Sequence, residues 1–383
     1  MVRKLYFPAL LVLLVLLLAC TPQSRDVGTP VPTQATPAAG STSNLPPPTS
    51  QDAAWAQVLQ AGKKEGHLTV YTVHFWGDMA NEITKTFLER TGILVEFIVG
   101  GSSATSIERL KAERRVNSQV ASVLTGASTL VLLAKQDGLT QKAGDIPEVK
   151  DERIYRYDPR LDKDGHMLSL QLITQSPWIN TKMVQPGTEP KSWLDLLKPE
   201  WRGKIGISDP DTSPSVNYYY YVLSIQGKLD PDYFTKLAKQ QLQLQPTIRM
   251  EAEALARGLV PLSFSNTPSS NSLMPFLIEG APLKAVDMAE GIIIYRSGAV
   301  SLLQGAPQPN AARVFVNWLF SKEGITIFSK YAGTVGFRKD VPSFIPPEGQ
   351  LNPANPIIIT VEDELEISKI QRERTLSKIL RGG

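Results

Sequence analysis

Two hydroxyl-rich turns offer the clearest chemistry in this sequence: Ser102-Ser103, and Thr212-Ser213 with Ser215. Each stands where a helical pattern begins. A helix start exposes unpaired backbone N–H groups and the positive end of the helix dipole, so hydroxyls there can help to hold an anion. Serine and threonine also cap helices with no ligand involved. His74-Phe75-Trp76 directly follows an apolar, strand-like run, the position where open α/β sheets hold ligands. Phe75 and Trp76 can wall a pocket there and His74 can hydrogen-bond, or the aromatics can pack inward. Gly126-Ala127-Ser128 is a weaker candidate of the same kind, and Trp178 suits core or pocket.

Tyr218 to Tyr221 are four consecutive tyrosines, and tyrosinate oxygen suits ferric ion. Four helical residues span more than one turn, so they cannot share a face. Packing is the commoner role, and Tyr218 and Tyr219 stand only as alternative metal ligands. Otherwise no metal and no cofactor is expected. Enzyme signatures are missing: there is no G-x-S-x-G, H-E-x-x-H, Walker A or G-x-G-x-x-G pattern. His67, His74 and His166 show no ligand spacing. A binding protein is expected rather than an enzyme; a hydrolase with an unrecognised site is the alternative from another class.

The elements that must position these residues alternate. Ala53 to Gly66 reads as an amphipathic helix, Leu68 to Val73 as a buried strand, Met79 to Thr91 as a helix and Ile93 to Val99 as a strand. A third helix runs from about Thr105 to Arg115, with Thr105 and Glu108 at capping-box spacing. This alternation predicts a mostly parallel sheet with helices on its faces. Further on, Gln171 to Trp178 reads as a strand, Ser192 to Leu197 as a short helix and Ile205 to Ile207 as a strand. Pro214 suits the first turn of the next helix. Ile248 to Arg257 is helical and Leu259 to Phe264 extended; Ala311 to Phe320 and Lys322 to Tyr331 are helices, and Val361 to Leu380 is a mixed-charge helix.

The first fifty residues speak of location. Arg3 and Lys4 precede an apolar run from Leu5 to Ala19, followed by Cys20, the only cysteine of the chain. That layout is a secretory signal, and Leu17-Leu18-Ala19-Cys20 resembles a bacterial lipobox whose cysteine carries lipid. Residues 21–50 are rich in Pro, Thr and Ser, a composition that cannot offset ordering entropy. They read as a disordered tether. The body, 51–383, is long enough for two lobes. Its charge is near balance, +3 over 383 residues, so nucleic acid is not an expected partner.

Scattered pieces, in order, carry a resemblance. They are Gly100-Gly101-Ser102-Ser103 with Leu110 to Glu113, Ser192 to Leu197 with Pro199 to Lys204, and Asp209-Pro210 before a Ser/Thr-rich turn. Gly305-Ala306-Pro307, Pro309 to Ala312, Phe315 to Leu319 and Ser321 to Gly324 complete them. The chain resembles the substrate-binding proteins of bacterial ABC importers, in the cluster with the ferric-iron, thiamine and phosphonate binders. The resemblance implies an α/β fold of type 2 periplasmic-binding kind: two Rossmann-like lobes joined by crossover strands around a ligand cleft. It places lobe 1 at about 51–172 plus 286–304, lobe 2 at about 173–285 plus 305–360, and a final helix at about 361–380. Both hydroxyl turns would then face one cleft. Asn266, in the loop Ser265 to Asn271, joins the expected site; that loop lacks the paired tyrosines of the iron binders. Asp287 and Glu290 lie where relatives return to lobe 1 and can bind a cationic amine, or sit in a solvated loop. The implied role is capture of a small polar solute, anionic by this reading, with ferric iron as the alternative. The implied partners are an ABC permease and, through a lipid anchor on Cys20, a membrane; the implied location is the outer face of the bacterial cytoplasmic membrane or the periplasm. A monomer is expected. A sensory ectodomain on the same fold is a further alternative.

Overall fold

The computed structural model describes residues 50–213, 215–269, 272–351 and 355–382. Cys20 and the 21–49 segment lie outside the described residues. Five strands come first: β1 His67–Thr72, β2 Leu94–Val99, β3 Val123–Gly126, β4 Thr140–Gln141 and β5 Leu168–Gln175. Five short ones follow: β6 Trp178–Asn180, β7 Ile205–Ser208, β8 Gln243–Gln245, β9 Leu262–Ser263 and β10 Leu283–Ala285. Then come the twelve-residue β11 Ile292–Leu303 and β12 Pro356–Ile359. The first sheet runs β12-β11-β3-β1-β2, with β4 and β5 also paired to β11; the second runs β10-β6-β9-β7-β8.

β1 lies parallel to β2 and β3, with helices Gly77–Thr91 and Ser103–Arg115 as the crossovers. In the second sheet β7 lies parallel to β8 and β9. Parallel strands need such crossovers, and their carboxyl ends then gather loops on one side. Those loops are 73–76, 100–102, 209–213 and 264–269.

The chain passes between sheets twice. β5 ends at Gln175, Pro177 supplies no N–H to continue a ladder, and β6 resumes at Trp178; the expected single strand from Gln171 to Trp178 is therefore two. The return is 286–291, and Val286 N donates to Pro177 O at 2.9 Å, tying the two crossings together.

Each lobe has its own core. The first packs Phe75, Phe87, Phe315, Trp318 and Phe328 against Leu68, Val70 and Ile83. Helices Pro309–Leu319 and Lys322–Ala332 thus join the first lobe, not the second as expected, because their apolar faces meet this aromatic cluster. The second core gathers Trp193, Tyr219, Tyr233, Phe234 and Phe264.

Other expectations change in detail. Ser102, not Thr105, caps the third helix, its Oγ accepting from Thr105 N at 3.1 Å. Ser192 to Leu197 is a 3-10 turn closed by an Asp195 capping box. The C-terminal helix breaks into Val361–Arg372 and Thr375–Leu380 at Arg374, whose φ is 56°. This C-terminal segment grips the second lobe. Arg374 Nη2 and Ser377 Oγ reach Asp211 Oδ2 at 2.5 and 3.0 Å, Arg381 Nη2 reaches Asp209 Oδ2 at 2.5 Å, and Tyr221 donates to Asp363 at 2.6 Å.

Candidate functional site

A cleft of about 590 Å3 opens where loops from the carboxyl ends of both sheets converge. Val73, His74, Trp76 and Met79 line it from the β1 loop and the helix after it, and Phe328, Tyr331, Ala332 and Thr334 from the end of helix Lys322–Ala332. Thr212 and Ser213 line it from the β7 loop, Ser215 from the start of helix Ser215–Tyr220, Ile248 from the start of helix Ile248–Ala256, and Thr267 and Ser269 from the β9 loop. Gln171 and Ile173 of β5 and Tyr295 of β11 form the floor between. Among these residues none is Asp, Glu, Lys or Arg.

The first wall is set by Thr72. Its Oγ1 accepts from His74 N at 2.9 Å and Phe75 N at 3.0 Å, turning the chain sharply out of β1. The turn drives Phe75 into the core against Phe97, Phe315 and Phe328. It leaves Trp76 62% exposed at the cleft. His74 Nε2 lies 3.2 Å from the Gly126 carbonyl, so this nitrogen carries the proton and donates. Burial pulls the imidazole below its ordinary pKa. It is therefore neutral, with Nδ1 kept as an acceptor. Tyr331 donates to Glu82 Oε2 at 2.6 Å. Burial pushes the Tyr295 phenol above its ordinary value.

The second wall is made of hydroxyls. Thr212 Oγ1 donates to the carbonyls of Pro246 at 2.5 Å and Asp209 at 3.2 Å, which holds the turn in shape. Ser213 is 3% exposed and its Oγ meets no protein partner; Thr334 Oγ1 across the cleft is in the same condition. An unpaired buried hydroxyl costs free energy unless something completes it. Gln175 Nε2 donates to the Ser215 carbonyl at 2.7 Å, so the crossover strand is bonded to the start of the second-wall helix. Thr267 and Ser269 share a hydroxyl contact at 3.0 Å.

Of the residues singled out from sequence, His74, Trp76, Thr212, Ser213 and Ser215 meet in this cleft. The others are placed elsewhere. Ser102 is occupied as a cap. Ser103 is buried and its Oγ accepts from Ala127 N at 2.9 Å. Gly126 permits that approach, since a Cβ there would lie 2.8 Å from Ser103 Oγ. Neither Ser102 nor Ser103 is among the residues that line the cleft. Ser128 is buried with its Oγ unpartnered, outside the cleft lining. Phe75 and Trp178 are fully buried core. Asn266 is buried among Ser263 and Ser272. Asp287 is exposed beside a separate depression with Lys191 and Lys284. Glu290 accepts from Ser192 Oγ and, at 3.2 Å, from Trp193 N, an internal tie of the second lobe.

The alternative metal ligands also point away. Tyr218 stacks on Tyr295 with centroids 4.7 Å apart and bonds Glu364, while Tyr219 packs between Trp193 and Phe264. Among the described residues no group of three or more His, Cys, Asp or Glu is placed to hold a metal ion.

Sequence reasoning missed Tyr295, Tyr331, Thr334 and Gln171. Tyr331-Ala332-Gly333-Thr334 carried a signal: Gly333 ends the helix at φ 64°, which turns Thr334 back toward the cleft. Tyr295 follows Ile292-Ile293-Ile294, and a polar-tipped residue after a buried run marks a strand leaving its core.

Comparison with known proteins agrees with this architecture. Residues 68–332 match the model of a family described as bacterial extracellular solute-binding protein. An uncharacterised protein of Haemophilus influenzae is 27% identical over 285 residues, covering 71% of this chain and 78% of the relative. A putative 2-aminoethylphosphonate-binding periplasmic protein of Salmonella typhimurium is 25% identical over 296 residues, covering 72% and 80%. Among solved structures, iron-bound HitA from Pseudomonas aeruginosa superposes with a TM-score of 0.60 at 19% identity, over 80% of this chain and 98% of that one. The family match over most of the body, and a cleft floored by two crossover strands, place the chain in the bacterial extracellular solute-binding protein family, as the solute-binding component of an ABC importer.

Proposed function

We propose that the cleft captures a small organic oxyanion, a phosphonate or phosphate ester, for delivery to a membrane permease. The observation that carries this reading is the unpartnered, buried Ser213 Oγ in a wall of hydroxyls, in a cleft whose lining residues include no Asp, Glu, Lys or Arg. Neutral donors suit an oxyanion, which offers several acceptor oxygens and brings its own charge. Hydrogen bonds to a charged group are the strong ones. The Salmonella relative, by its name a putative 2-aminoethylphosphonate binder, supports the same ligand class.

Ferric ion fits less well. A hard trivalent cation needs anionic oxygens, and the two phenols at the cleft are held protonated. Tyr331 donates a hydrogen bond to Glu82 and keeps its proton, and burial raises the Tyr295 phenol. Cys20 remains the proposed lipid anchor and the segment after it the tether; Cys20→Ser should move the protein from the membrane fraction to the soluble one.

Calorimetry with 2-aminoethylphosphonate, inorganic phosphate and ferric citrate tests the ligand class. Heat with the phosphorus anions is expected, and Ser213→Ala should cost roughly 1.5–3 kcal/mol, about tenfold or more in affinity. A coloured ferric complex with no phosphonate heat would reverse this assignment.

A further inference from the structure

Glu251 is the titratable group that the cleft description leaves unexplained. It sits on helix Ile248–Ala256 with no exposed surface. The helix's first residue, Ile248, lines the cleft, as do Thr267 and Ser269 of the loop after β9. Glu251 is bonded to the root of that loop. Oε1 meets Ser263 Oγ at 2.7 Å and Ser265 N at 3.0 Å, and Oε2 meets Ser265 Oγ. Ser265 Oγ in turn meets Ser208 N at 3.2 Å and Ser208 Oγ at 2.9 Å, at the end of β7 where the Ser213 turn begins. The partners are hydroxyls and an amide, with no cation among them. The titratable group facing Glu251 from the neighbouring helix is Tyr219, whose hydroxyl has no partner.

Counting protons fixes the state of the carboxyl. The Asn266 amide is satisfied in one orientation. Its nitrogen then donates to Ile248 O at 3.1 Å and to Ser272 Oγ, and its oxygen accepts from Ala252 N at 3.2 Å and Ser263 Oγ at 2.7 Å. Ser263 has one hydroxyl proton, and Asn266 receives it. The contact between Ser263 Oγ and Glu251 Oε1 then needs its proton from Glu251. On the other side, Ser208 donates to Ser265 and Ser265 to Glu251 Oε2, so both oxygens are satisfied by a protonated acid.

We propose that Glu251 is held as a neutral carboxylic acid, and that its proton keeps the hydroxyl wall free of fixed negative charge so that an anionic solute can be held there. Burial also favours the protonated form. The role in binding rests on the oxyanion reading above; the proton on Glu251 does not. Glu251 is a positioning residue, acting through Ser265 and Ser208 on the two loops that meet the solute.

Carbon NMR of protein labelled at the glutamate carboxyls reads the proton directly, with no solute present. A neutral carboxyl at pH 7 that vanishes in Glu251→Gln is expected. Glu364 is a second buried glutamate with a raised pKa of about 8, so Glu364→Gln identifies its signal separately. The second arm measures affinity for 2-aminoethylphosphonate against pH. Wild-type affinity should fall about tenfold as the Glu251 signal turns to carboxylate, since like charges in a poorly screened site repel. The Glu251→Gln variant, which keeps a neutral side chain, should hold its affinity across that range. If the variant does not fold, the coincidence of the two wild-type titrations still decides. A Glu251 carboxylate at pH 7 overturns the proposal. So does an unchanged wild-type affinity across the Glu251 titration. A neutral Glu251 in a protein that binds neither phosphonate nor phosphate would sink the oxyanion reading and with it the role in binding, while leaving the proton assignment in place.

Discussion

The two walls of the cleft are built from opposite materials. The first presents His74, Trp76, Met79, Phe328 and Tyr331, rings and a thioether with few free donors. The second presents Thr212, Ser213, Ser215, Thr267 and Ser269, almost all hydroxyl. The difference follows from what supports each. The first wall rests on an aromatic core in which Phe75 packs edge-on to Phe328, a residue of the cleft lining. The second rests on Glu251, Ser263, Ser265 and Ser208, a polar layer beneath the loops. On the oxyanion reading proposed above, the charged head of the solute would meet the second wall and its organic body the first.

Four substitutions probe that division, from the largest effect to the smallest. Ser213→Asp puts a carboxylate on the hydroxyl wall; like charges brought together cost several kcal/mol, so phosphate and phosphonate affinity should fall roughly hundredfold or more. Retained calorimetric affinity would mean that the head binds elsewhere. Glu364→Gln tests the seam between the walls, where Glu364 bonds Tyr218 and Tyr218 stacks on Tyr295. Burial raises the Glu364 carboxyl to about 8, so the fold prefers the protonated acid. Stability is therefore full below the ordinary glutamate range and is lost as pH rises toward 8. The glutamine variant should melt several degrees above wild type at pH 9 and match it at pH 4; equal melting at both would remove the seam's strain.

Trp76→Ala removes the exposed ring of the first wall. It should weaken 2-aminoethylphosphonate, whose ammonium can sit over the ring, by about two- to fivefold. Inorganic phosphate should bind as before, and equal losses for both would erase the distinction between walls. The smallest effect belongs to His74. Its pKa lies below the ordinary value, so the unfolded chain takes up the proton first and stability falls as pH drops below about 6.5. His74→Gln should flatten that acid limb of the melting profile.

Much of the fold was legible because strands and helices announce themselves through local pattern. β1, β2, the helix between them and the helix that begins at Ser215 stand where the sequence pattern puts them. The lobe membership of residues 309–332 was not legible, since an apolar helix face does not say which core it joins. The site divides the same way. Ser213 and Ser103 are alike in sequence, each at a helix start. Only the structure shows that Ala127 N already engages Ser103 Oγ, whereas Ser213 lines the cleft and its buried Oγ meets no protein partner. Phe328, Tyr331 and Thr334 share a wall with His74, Trp76 and Met79 from a distant part of the chain, which no local reading brings together.

The arginine ties at the end of the chain carry a further consequence. Arg374, Ser377 and Arg381 hold Asp209 and Asp211, the residues just before Thr212 and Ser213. The last helix and the turn at 212–213 are thereby bonded to each other, and their amides are expected to exchange with solvent together. A peptide or antibody that pulls the last helix from its seat would loosen the solute turn from behind, an inhibitor's route to the cleft that never enters it.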